Sequence, residues 1–172
     1  MASLDLLNDN PTSLIGRKCD DLIIFGLSIG MAYDNVISTV KEDKRICYKG
    51  PNEEAESYNN ISIYCTETEK HIIDCIWDKR NEKMSCIIVL SDCKKFLTKN
   101  FKRLLSSDAI AHDSYFSSKF LLEQTRNPYL LDLGFKGRKN IIHYFDHIGI
   151  SIIQRVYSKK VNYFFTIGIK EL

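Results

Sequence analysis

The chain has 172 residues, of which 44% are hydrophobic and 27% charged, so it can bury a core as one domain or as two small halves that share an interface. The formal charge of +2 conceals an uneven split: residues 1–92 carry 10 Lys and Arg against 16 Asp and Glu (net −6), and residues 93–172 carry 14 against 6 (net +8). No run approaches the roughly 18 consecutive apolar residues of a membrane span, and MASLDLLNDNP lacks the basic start and apolar core of a signal peptide, which predicts a cytoplasmic protein that does not enter a membrane.

In chain order, the apolar cluster ending at Asn10-Pro11 predicts an N-terminal helical turn or arm. Residues 20–26 give a brief apolar run closed by Gly26. Met31, Tyr33, Val36, Ile37 and Val40 then recur at helical spacing and predict a helix with one buried face. Residues 50–60 (GPNEEAESYNN) read as an acidic loop. After that loop the periodicity becomes extended, and 60–65, 70–77 and 84–90, rich in Ile, Val, Cys and aromatics, predict an antiparallel meander. KKFLTKNFKRLL (94–105) returns to helical spacing with five cations on its wet side, and 114–124 predicts another helix, ended by Asn127-Pro128. A second meander is predicted over 140–146, 150–157 and 161–169.

The two meanders share a pattern. His71-Ile72-Ile73-Asp74-Cys75-Ile76-Trp77-Asp78 returns 80 positions later as Ser151-Ile152-Ile153-Gln154-Arg155-Val156-Tyr157-Ser158, and at the same offset Asn60-Ile61-Ser62-Ile63-Tyr64 meets Asn140-Ile141-Ile142-His143-Tyr144. Two segments agreeing on one gapless period predict two tandem units, 1–92 and 93–172. The expected class is α+β: each unit runs from helix to antiparallel meander, and together they form a sheet with helices on one face. All six cysteines (19, 47, 65, 75, 86 and 93) lie in the first unit and its flanks, so the unit does not depend on disulfides. They also lack zinc-site spacing, and buried free thiols are the simpler reading.

Gly26-Leu27-Ser28-Ile29-Gly30-Met31-Ala32-Tyr33-Asp34-Asn35-Val36 resembles the G-x-x-x-G-M-x-x-x-x-V helix entry of the small bacterial lipoprotein and beta-lactamase-inhibitor-protein family. The resemblance implies a helical segment followed by an antiparallel sheet, in tandem units whose sheet grips a protein target. The motif spans eleven residues. The second unit has Asp108, Ala109, Ile110 and Ala111 where the glycine-methionine entry would fall, and no inhibitory residue is carried over.

Strand alternation gives a candidate surface. With Ile61, Ile63, Cys65, Ile72, Ile76, Ile152 and Val156 turned to the helices, the opposite face carries Asn60, Ser62, Tyr64, His71, Ile73, Cys75, Trp77, Asn140, Ile142, Tyr144, Ser151, Ile153, Arg155 and Tyr157. Tyr64, Trp77, Tyr144 and Tyr157 beside Arg155 form the aromatic-plus-arginine composition of a binding hot spot. The reversed phase would bury those rings in the core. Catalytic signatures are missing: there is no G-x-S-x-G elbow, and neither Gly26/Gly30 nor Gly134/Gly137 completes a phosphate loop. His143 and His147 straddle a strand end and its turn, where i, i+4 zinc geometry fails, so no metal or cofactor is expected.

The sequence therefore predicts a non-enzymatic protein-binding module, an inhibitor or immunity protein that neutralises a toxin or enzyme by occluding its active site. The alternatives are a nucleic-acid binder using the basic half, through Lys94, Lys95, Lys99, Lys102 and Arg103 with Lys136, Arg138, Lys139, Arg155, Lys159 and Lys160, or a hydrolase or metal enzyme around His143 and His147.

Overall fold

The computed structural model describes residues 2–11, 17–52, 58–78, 82–104, 138–145, 150–157 and 160–168. For 52, 58, 59, 78, 104, 138–145, 150–157 and 160–165 the description is of the backbone. Two short strands, β1 (Leu4–Asp5) and β2 (Leu22–Ile23), pair in parallel. Helix α1 (Tyr33–Glu42) follows. Then come β3 (Ile46–Asn52), β4 (Tyr58–Cys65), β5 (His71–Asp78) and β6 (Met84–Leu90), a 3-10 turn at Ser91–Phe96, and α2 (Lys99–Leu104). The last strands are β7 (Arg138–Phe145), β8 (Ile150–Tyr157) and β9 (Lys160–Gly168). Strands β3 to β9 form one antiparallel sheet in the order β3-β4-β5-β6-β9-β8-β7, so both meanders belong to a single seven-stranded layer joined where β6 meets β9. The class is α+β.

One side of the sheet is the core. Ile61, Ile63, Ile73, Cys75, Trp77, Ile87, Val89 and Ile167 lie in linked rows of the register, and all are buried. Against them pack Leu4, Leu6, Leu22, Ile24 and Leu27 from the N-terminal segment, Val36 and Val40 from α1, and Cys93, Leu97 and Phe101 from the turn and α2. Val36 and Val40 stand four apart, with Tyr33 and Ile37 beside them, which gives α1 its apolar stripe. Asp34 in the first turn and Lys41 in the last suit the helix dipole. The helix stops at Asp43, whose extended backbone still donates its N–H to Val40 O.

Two local devices hold the helical side. At Phe25-Gly26 the chain reverses with φ of 50° and 75°, and Ile24 and Leu27 exchange backbone hydrogen bonds of 3.0 and 2.8 Å. Gly26 suits that left-handed backbone, and a Cβ there would lie 3.0 Å from Thr39 Cγ2. Phe25 is held in its uncommon conformation by an edge-on contact with Phe96 and by the Arg45 guanidinium over its ring. The second device is a cap supplied from ninety residues away: Asn10 Oδ1 accepts the Asn100 N–H at 2.9 Å at the start of α2, while Asn100 Nδ2 donates to Asn10 O.

The structure departs from expectation in four places. The N-terminal arm contributes a short strand as well as the expected turn, in which Asp5 O accepts from the Asn8 and Asp9 N–H groups. Residues 50–60, expected as an acidic loop, instead supply the end of β3 at 50–52 and the start of β4 at 58–60. The helix expected over 94–105 breaks into a 3-10 turn and a six-residue helix, because Leu97 takes an extended conformation (φ −74°, ψ 148°) between them. The fourth departure is a phase error in β5. Ile63 is opposite Ile73 but Tyr64 is opposite His71, so Ile72 is an extra residue, a β-bulge. His71 keeps its predicted outer side. Beyond the bulge, Ile73, Cys75 and Trp77 turn inward, whereas the sequence placed them outward, and Ile76 moves to the outer side. The helix expected at 114–124 lies outside the described residues.

Candidate functional site

The sheet side away from the core is not uniform. Register links Lys49, Ser62, Asp74, Ile88, Thr166, Ser151 and Tyr144 into one row across all seven strands. At one end of this side, Ile76 and Cys86 face each other and are buried, outside the main core cluster. At the other end, over β3, β4 and β5, Cys47 and Lys49 are exposed, Tyr64, His71 and Asp74 are half-buried, and Ser62 is covered.

That corner is a continuous chain of side-chain contacts. The Tyr64 ring stacks on the His71 ring with centroids 5.0 Å apart, and Lys49 Nζ stands 4.6 Å from the Tyr64 centroid. Because β3 and β5 flank β4 on opposite sides, Lys49 and His71 cover the two faces of the ring. His71 Nε2 lies 2.8 Å from Asp74 Oδ1, and Ser62 Oγ–H donates to the same oxygen at 2.9 Å. The bulge makes this possible: regular alternation counted back from Asp74 through Ile73 and Ile72 would put His71 on the other side of the sheet from Tyr64 and Asp74.

Ser62 and His71 both meet Asp74 and no Ser62–His71 bond is formed, so the trio is not a nucleophile–base pair. It does fix the side chains. Asp74 orients the imidazole, Ser62 orients Asp74, and Tyr64 is held between two neighbours.

The predicted docking residues fare differently. Tyr64 stands on the predicted side, half-buried. Trp77 does not: it is 2% exposed, its Nε1–H donates to Met31 O at 3.2 Å, and its ring meets Tyr33 edge-on with centroids 5.3 Å apart. The bulge turned it under the start of α1, so it belongs to the core and cannot meet a partner. Tyr144, Arg155 and Tyr157 have described strand positions, in the same set of rows as Asp74, while their side chains lie outside the description. His143 occupies a position in the core-side row of Ile73, and His147 lies outside the described residues. Among the described residues no group of three or more His, Cys, Asp or Glu could hold a metal, and no helix is long and apolar enough to cross a membrane.

Sequence reading also gave no signal for Cys65. It is 1% exposed at the end of β4, and hydrogen bonds from Thr68, with smaller help from the Glu67 N–H and Lys95, favour its thiolate and lower it to about 7 against the opposing effect of burial. Neighbouring Cys93, protonated, is pushed up to about 12 by burial and by the charge of Cys65. All six cysteines are free. A groove of about 460 Å³ lies between the N-terminal turn and the end of α1, lined by Asp5, Phe25, Glu42, Asp43 and Arg45 among others. Of its two cations, Lys44 and Arg45, the second grips Asp43 through two hydrogen bonds of 3.0 and 2.7 Å.

No protein family, no curated protein and no solved structure matches this chain.

Proposed function

We propose that this chain is a protein-binding module, an inhibitor or immunity-type protein that neutralises a toxin or enzyme by covering its active site, and that it docks through the β3–β4–β5 corner. The observation that carries this reading is Tyr64, an aromatic side chain held between Lys49 and His71 on the side of the sheet away from the core. A ring fixed before binding loses little conformational freedom on association, which is the property of aromatic anchors in protein interfaces. With both of its faces occupied, the ring offers a partner its rim and hydroxyl. That favours a protein partner over a nucleobase, which needs a free face for stacking.

In this reading the chain is built from two copies of one meander unit, as the likeness to beta-lactamase-inhibitor-type proteins implies. The offset of 80 residues pairs β4 with β7 and β5 with β8, and the strand order β4-β5-β6-β9-β8-β7 is what two like meanders give when their last strands join. Tyr144 and Tyr64 are then equivalent positions, and Tyr144, Arg155 and Tyr157 extend the docking side.

The test is co-purification from the native host with the full chain as bait. A stoichiometric partner should accompany the wild-type chain, lose its activity in the complex, and bind Tyr64→Ala at least about tenfold more weakly. A partner that is retained undiminished by Tyr64→Ala, or that stays fully active in the complex, sinks the reading.

A further inference from the structure

Strands β4 and β6 flank β5 and are both antiparallel to it, so they run the same way and leave the sheet at the same end. Cys65 is the last residue of β4, and Cys93 lies just past the end of β6, in the 3-10 turn at Ser91–Phe96. Both are on the core side. Cys65 stands two along from Ile63 and opposite Ile46, and Cys65 and Cys93 are 1% and 0% exposed within one apolar cluster. The segments around them are also joined directly. Lys70, whose O accepts the Cys65 N–H at 2.9 Å, pairs through Nζ with Asp92 at 3.5 Å, and Lys95 hydrogen-bonds to the Cys65 sulfur. Residues on both sides of Cys93 thus reach Cys65 or the residue bonded to its backbone.

The two sulfurs are unlike. Hydrogen bonds from Thr68, in an exposed turn over residues 66–70, favour the Cys65 thiolate, whereas burial and then the charge of Cys65 keep the proton on Cys93. Cys19 and Cys75 are held as thiols, the first by burial and its bond to Asp20, the second by burial and the charge of Asp74; Cys47 is exposed on the edge strand β3. A thiolate beside a second, protonated thiol is the arrangement of a reactive cysteine and its resolving partner.

We propose that Cys65 is a modification site for a hydroperoxide and that Cys93 resolves it, so that oxidation bonds the end of β4 to the 3-10 turn. The Cys65 thiolate attacks one oxygen of hydrogen peroxide: the S–O bond forms, the O–O bond breaks and hydroxide leaves, giving the sulfenic acid. The Cys93 sulfur then attacks the Cys65 sulfur. The S–S bond forms, the S–O bond breaks, and the departing hydroxide takes the Cys93 proton as water. The peroxide gains the two electrons that the two sulfurs lose. Because the sulfenic acid is neutral, the first step removes the charge that helped to hold the Cys93 proton, and so favours the second. Peroxide is small enough to enter when the turn over 66–70 opens locally. This chemistry holds whether or not the chain docks through Tyr64.

The test exposes the reduced full chain to hydrogen peroxide, blocks the remaining thiols by alkylation in denaturant and maps the peptides without reduction. The Cys65–Cys93 bridge should be the main product and should form at least about tenfold faster than any product at the exposed Cys47. Its rate should rise about tenfold between about pH 6 and about pH 8 and then level, as for a thiol lowered to about 7. Cys93→Ser should leave a sulfenic acid at Cys65 that dimedone labels, and Cys65→Ser should leave Cys93 reduced. Oxidation of Cys47 ahead of Cys65, a rate that still climbs about tenfold per unit above about pH 8, or sulfenic acid accumulating at Cys65 of the wild-type chain without the bridge would each overturn the proposal. The wild-type peptide map decides between these outcomes even if neither variant folds.

Discussion

Trp77 and Tyr64 sit on neighbouring strands, both aromatic, both assigned by alternation to one side of the sheet, yet they end in opposite environments. Trp77 is closed over by the segment leading into α1, with its indole N–H bonded to a backbone carbonyl. Tyr64 stands on the other side of the sheet among polar neighbours. A single inserted residue, Ile72, separates the two outcomes. Which aromatic stabilises and which can recognise is thus set by strand phase and not by residue type.

The difference can be broken from its strong end. Trp77→Ala should remove about 3–5 kcal/mol of unfolding free energy, the usual range for a fully buried large aromatic, read as a fall in the denaturant midpoint at unchanged slope. Loss of under about 1 kcal/mol would mean the indole is not the core member its burial indicates. Asn10→Ala should cost about 1 kcal/mol, because it leaves the Asn100 N–H without its cap, and should speed hydrogen exchange in α2 before the sheet is affected. Tyr64→Ala should cost less than about 1 kcal/mol, since only ring contacts at a half-exposed position are lost; a cost rivalling that of Trp77→Ala would erase the contrast.

The smallest effect concerns pH. The Arg45 guanidinium beside Asp43 holds that carboxyl below the ordinary carboxylate range. A depressed carboxyl stabilises the fold above its unfolded pKa, and that contribution disappears as pH falls through the folded value. Arg45→Ala should therefore lower stability at neutral pH by roughly 0.2–1 kcal/mol, the range for exposed pairs, and the gap from wild type should close on acidification. A gap constant with pH would assign the loss to the Phe25 contact instead.

The sheet was legible where each strand kept one apolar side: the six strands of the two meanders lie within two residues of their predicted bounds. Strand β3 was hidden because Lys49, Gly50 and Pro51 carry the signature of a turn. The inward turn of Trp77 was hidden because HIIDCIWD is apolar on both sides, so nothing in its alternation marks an inserted residue. His71 keeps its predicted side because it precedes the inserted residue on β5, and Tyr64 keeps its own because the insertion is not on β4. Their link to Asp74, Ser62 and Lys49 needed the cross-strand register, which no single segment contains. The break at Leu97 depends on an arm docked from the far end of the chain, and local periodicity does not report such a contact.

Strand β9 is the latest of the described strands, yet it is seated inside the sheet, between β6 and β8, with Ile87 opposite Ile167. During synthesis β6 must wait for a neighbour roughly eighty residues downstream, and until it emerges Cys86-Ile87-Ile88-Val89 is an unpaired apolar edge. Nascent chains halted before residue 160 should accordingly be prone to clump.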